Sequence, residues 1–132
     1  MTTLADVRDF LKTFNMFEGY GIGRIEESKS NILGVYSLRD NGDRHVCIGR
    51  HEKFEVVPIS LLIHGNTNKD STEKLANNLY EKLENCAGAT INNRKVNIIR
   101  LHQDKPVDVD VSESKIYEYV IEVSFYIEKE EK

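Results

Sequence analysis

The stretch KIYEYVIEVSFYIEK, residues 115–129, constrains the fold more than any other. Tyr117, Tyr119, Ile121, Val123, Phe125 and Ile127 recur at every second position, with Glu118, Glu122 and Ser124 between them. A period of two belongs to a β-strand, because successive strand side chains point to opposite faces. The segment therefore reads as a long strand with one buried face. Residues 53–64 repeat the pattern, with Val57, Ile59, Leu61 and Ile63 on one face and Val56, Ser60, Leu62 and His64 on the other. Pro58 lacks an N–H for the ladder, which predicts an edge position or a bulge there. Shorter strands are predicted over residues 22–27, 31–38 and 95–102.

Two segments follow the helical period instead. Leu4, Val7, Phe10, Leu11 and Phe14 share one helix face, and Thr3 with Asp6 forms a helix start. Residues 71–86 make the stronger helix. Leu75, Ala76, Leu79, Tyr80 and Leu83 form its apolar stripe, Asp70 to Glu73 reads as its capping box, and Ala87-Gly88 as its stop. The rings of Tyr117 and Tyr119 are expected to pack on this second helix. Strands and helices are segregated rather than alternating, which predicts an α+β fold. The expected architecture is a mainly antiparallel twisted sheet with one N-terminal helix and one central helix packed on it. At 132 residues the chain reads as a single domain, 1–132, able to bury roughly two thirds of its unfolded surface.

Residues 103–114, QDKPVDVDVSES, are polar and place Val107, Val109 and Val111 opposite Asp108 and Asp110. They form either a long exposed loop or a projecting two-stranded arm. Residues 129–132 are a solvated charged tail. RDNGDR carries the Asn41-Gly42 pair, which favours a two-residue hairpin turn leading into a strand over residues 45–49. Asp40, Asn41 and Asp43 could be calcium ligands, but the longer loop with a closing Glu that such a site needs is missing.

GYGIG, residues 19–23, resembles a phosphate-cradling loop. A dinucleotide site needs a strand before the glycines and a helix after them, so that the helix N-terminus receives the pyrophosphate. Here the order is reversed, and no Gly-Lys-Ser/Thr follows. The glycines read as a helix exit and an extended entry into the first strand. His45, His51, His64 and His102 show no metal-ligand spacing. Cys47 and Cys86 lie outside any Cys-x-x-Cys and read as reduced, partly buried thiols. Asp108 and Asp110 could share one side and bind a cation, against the plainer reading of an exposed wall. No nucleophile motif is present, so no catalytic, cofactor-binding or metal residue is assigned, and the chain is not expected to be an enzyme. The net charge is −4, with no run of Lys and Arg. That balance gives no case for gripping nucleic acid or an acidic membrane. No stretch approaches the roughly 18 apolar residues of a membrane span. The N-terminus does not read as a signal peptide, and a reducing cytoplasm is the expected folding compartment.

The order of these segments resembles a known family. An N-terminal helix (LADVRDFLKTF) and a short strand pair precede a long central strand ending in a turn (FEVVPISLLIHGNTN). A capped helix (DSTEKLANNLYEKLENC), a strand (KVNIIRLHQDKP), a linker and a last long strand (KIYEYVIEVSFYIEKE) complete it. Across nearly the full chain this is similar to the tail terminator and minor capsid (head–tail joining) proteins of long-tailed bacteriophages. The resemblance rests on order and spacing and on no invariant residue. It implies a structural protein of a phage or prophage virion, made in the host cytoplasm. It also implies a homo-oligomeric ring, commonly of six subunits, that caps the tail tube and meets the head connector. DNA would pass through without specific binding, past a neutral to acidic wall. The family offers no catalytic residues or cofactor to carry over. The alternative reading is a small ligand-binding or regulatory α+β domain, monomeric or dimeric.

Overall fold

The computed structural model describes residues 1–38 and 54–129. The predicted Asn41-Gly42 turn, the strand over residues 45–49, Asp40, Asp43, His45, Cys47 and His51 lie outside the described residues, as do residues 130–132.

Helix α1 (Leu4–Lys12) starts as its sequence predicts. The Thr3 hydroxyl accepts the Asp6 N–H at 3.2 Å, and the Asp6 carboxylate accepts the Thr3 N–H at 3.0 Å. Val7, Phe10 and Leu11 are buried. Strands β1 (Gly19–Ile22), β2 (Ile32–Ser37) and β3 (Phe54–His64) follow, then α2 (Lys69–Glu84). Strands β4 (Thr90–Ile91), β5 (Arg94–Leu101), β6 (Val107–Val111) and β7 (Tyr117–Glu128) complete the described chain. Their order is β1-β2-β3-β7-β5-β4, with β6 also on β7. Every pair is antiparallel except β1 with β2. The fold is α+β.

The two long alternating segments are neighbours along their whole length. Val57, Ile59, Leu61 and Ile63 stand opposite Phe125, Val123, Ile121 and Tyr119. Leu33 and Val35 extend the same face across β2, and Val96 extends it on β5. These residues join Val7, Phe10 and Leu11 of α1 and Ala76, Leu79 and Leu83 of α2 in one core cluster. Phe10 meets Phe125 edge to face, with ring centroids 6.2 Å apart.

Several expectations need correction. The first strand ends at Ile22 rather than running to residue 27, because Gly23 takes φ 72° and turns the chain. A side chain at Gly21 would collide with the Arg24 carbonyl, so the fold-back that ends β1 requires glycine there. Helix α2 starts two residues earlier than its sequence suggests. Asn68, with extended backbone, caps it by accepting the Ser71 N–H at 2.9 Å, while Asp70 lies inside the helix and pairs with Lys74. Thr72 is buried where Leu75 and Tyr80 are only half-buried. Strand β3 is interior, yet Pro58 breaks no ladder bond: it lies one residue past the last β2 pair, Ser37 with Ile59. Its carbonyl, which accepts the Leu38 N–H, points to that same side, so the missing donor does too.

Residues 107–111 are neither loop nor projecting arm. They form β6, laid along β7 with all five residues exposed. The expected Val/Asp alternation fails inside it. Asp108 is opposite Tyr119 and Val111 is opposite Tyr117, so β6 carries one extra residue, and Asp110 takes φ 76°. The bulge puts Val107 and Val111 on opposite faces. Lys69, the first residue of α2, lies 5.3 and 5.5 Å from the Tyr117 and Tyr119 ring centres, so the helix start meets these rings with a cation, while Tyr119 also belongs to the apolar core cluster.

Candidate functional site

His64 is the one fully buried titratable side chain named among the described core residues. Register places it opposite Glu118, and its Nδ1 lies 2.6 Å from Glu118 Oε2. Its Nε2 lies 2.9 Å from the Glu27 carbonyl, which can only accept, so Nε2 donates. A second proton must sit between Nδ1 and the carboxylate, since two lone pairs at that distance would repel. Both ring nitrogens are thus occupied, and neither is available to a substrate as a base. The Glu27 carboxylate in turn accepts the Glu113 N–H, so the cluster ties the 23–31 loop to the β6–β7 turn. Tyr36 stands nearby: burial, then the Glu118 charge, pushes its hydroxyl up.

His102 Nε2 lies 2.8 Å from Ser124 Oγ, a pairing that has no signature in the spacing of the two residues. Ser124 sits mid-strand, between Pro58 of β3 and Arg100 of β5, and is almost fully buried. Backbone N–H groups around it serve the two flanking ladders, so no oxyanion-binding pair is left beside the hydroxyl. Cys86 is half-buried, and burial pushes its thiol up to about 11, away from a reactive thiolate. Among the described residues no group of three or more His, Cys, Asp or Glu is placed to hold a metal. No described helix is long and apolar enough to cross a membrane.

What the sheet does present is strands with an open edge, β1 and β6 among them, besides the two-residue β4 that ends the strand order. Among the described residues β1 has a partner only in β2, and β6 only in β7. The β1 edge borders a cavity of about 810 Å³, walled by residues 24–26, 29 and 30. GYGIG lies on this edge: its first four residues are edge strand β1, and its last glycine is the turn that ends it. On β6, Val107, Val109 and Val111 remain 40–43% exposed. Asp108 accepts from Lys69 at 2.6 Å, a bond that pushes the lysine up to about 12 and the carboxyl down. Asp108 and Asp110 do not form a cation site together. Asp108 turns to Lys69, and its other oxygen accepts the Asp110 N–H.

The N-terminus is fixed by an interaction spanning the chain. Glu55 accepts from the Thr2 N–H and hydroxyl and pairs with Arg94 at 3.0 Å, with both charged side chains largely buried. Burial alone would raise the Glu55 carboxyl. The Thr2 and Arg94 hydrogen bonds and the Arg94 charge outweigh that and hold it below its ordinary value.

No protein-family model matches the sequence, and no curated protein matches it.

Proposed function

We propose that this chain is a structural virion component, a ring-forming subunit resembling the phage tail terminators that cap the tail tube and join it to the head connector. The observation that carries the reading is a pair of unlike strand edges, β1 at one end of the strand order and β6 beside β7 within it, each with a single strand partner among the described residues. A head-to-tail ring requires each subunit to offer two different surfaces, and β1 and β6 are such a pair. In this reading both helices lie on the core face of the sheet, which leaves both edges clear. The net charge of −4 suits a passage that must not hold DNA phosphates. The fully engaged His64 and the oxyanion-poor setting of Ser124 are consistent with a scaffold rather than an enzyme. The order of segments across the chain points the same way, and suggests six subunits.

The cavity beside β1 favours a second reading, a small ligand-binding or regulatory domain. Sedimentation and electron microscopy of the concentrated protein, alone and with tail tubes, separate the two. Rings, or rings on tube ends, are expected. A monomer or dimer that ignores tube ends would favour the ligand-binding reading.

A further inference from the structure

We infer that two copies of this chain join edge to edge, with β6 of one copy entering the groove beside β1 of the next. This rests on the ring reading and names its contact.

Backbone alternation shows which peptide groups are free. Glu122 turns its carbonyl toward β5, where it accepts the His102 N–H. Val120, two residues earlier, turns the same way, so Val107 opposite it spends its peptide groups on β7. Asp108 then points its N–H and C=O away from β7. Tyr117 turns to the other side, bonding Gly65 and Asn66, so Val111 opposite it also faces outward. At the end of β1, Gly23 donates to the Val35 carbonyl of β2, so alternation turns the Gly19 and Gly21 peptides toward β2 and leaves those of Tyr20 and Ile22 on the open edge. Both edges thus hold unsatisfied strand groups, which a further strand would satisfy.

Side chains choose the partner. The β6 edge is bulged and carries two aspartates, features that discourage indiscriminate pairing and pairing with a second β6. Asp108 is neutralised by Lys69. Asp110 has no ion-pair partner among the described residues, and neither has Arg24, in the wall of the β1 cavity. Val109 and Val111 meet a wall that includes Ile22 and Ile25. The β1 groove therefore complements β6 in backbone, charge and apolar contact, and β6 does not complement itself.

The test is sedimentation velocity on the full chain over a concentration series at low salt. The parent is expected to associate. Arg24→Asp and Asp110→Arg are each expected to weaken association about tenfold, as loss of a close interfacial charge pair does. Asp110→Asn, which suits the left-handed backbone at φ 76°, should weaken it too. The double variant, and an equimolar mixture of Arg24→Asp with Asp110→Arg, should recover association. If the parent associates and the single variants match it, another surface joins the copies; the inference falls and the ring reading stands. A parent that stays monomeric to millimolar concentration also overturns the inference, while the ring reading is decided separately by tail length.

Discussion

Leu79→Ala probes the core on which both edges are mounted. Leu79 is fully buried in α2 and shares a cluster with Ile121, Val123 and Phe125 of β7. The substitution removes three carbons, and at roughly 0.8 kcal/mol each the lost transfer energy is about 2.4 kcal/mol. The surrounding strands are held by ladders on both sides of β7, so they cannot close over the gap completely. The residual cavity adds roughly 1–2 kcal/mol, for a total of about 3.5–4.5 kcal/mol. For a chain of this size the melting temperature should fall by roughly 10–15 °C. Urea unfolding followed by far-UV circular dichroism measures the loss directly, since the chain has no tryptophan. Leu75→Ala, at a half-buried position of the same helix, should cost less than about half as much. A Leu79→Ala protein within about 0.5 kcal/mol of the parent would refute the assignment of this stripe to the core.

Three further outcomes are expected. Because the Glu55 carboxyl is held below its ordinary value in the folded state, it contributes stability that is present above about pH 4.5 and lost as pH falls through its folded pKa; Glu55→Gln should flatten this acid limb of a stability–pH curve, and an unchanged limb would remove Glu55 from it. Glu118→Leu leaves the buried His64 ring without its partner and should destabilise by roughly 2–4 kcal/mol, with His64→Leu in the same strand pair costing far less when added to it than alone, a coupling that a double-mutant cycle reads. Cys86, pushed up to about 11, should resist iodoacetamide in the native protein at pH 8 and react on unfolding; mass spectrometry showing rapid native labelling would contradict its burial.

Much of the fold was legible where the signal is local. The alternation from Tyr117 to Ile127 and from Val57 to Ile63 fixed both long strands and their buried faces. Thr3 and Asp6 fixed the start of α1, because a capping box needs only three residues of spacing. The start of α2 was misplaced because Asn68 and Asp70 are both good caps, and the choice between them depends on where the Gly65 turn releases the chain. The parallel β1–β2 pair and the placing of β6 on β7 were not legible, since strand partners are chosen by long-range contact rather than by period. One extra residue at Asp110 also shifted the faces of β6, and nothing in VDVDV marks it. The His64–Glu118 pair was half legible: both residues were placed on the less buried faces of the two long strands, and only the register between those strands was missing. The Thr2–Glu55–Arg94 junction joins three distant segments and had no signature in sequence at all.

The ring reading is tested most directly by the tails themselves. Particles produced with and without this protein are imaged by electron microscopy, and tail length and head attachment are scored. The account predicts that tails made without it vary in length and fail to join heads, and that restoring the protein corrects both. Tails of normal, uniform length joined to heads in its complete absence would contradict it.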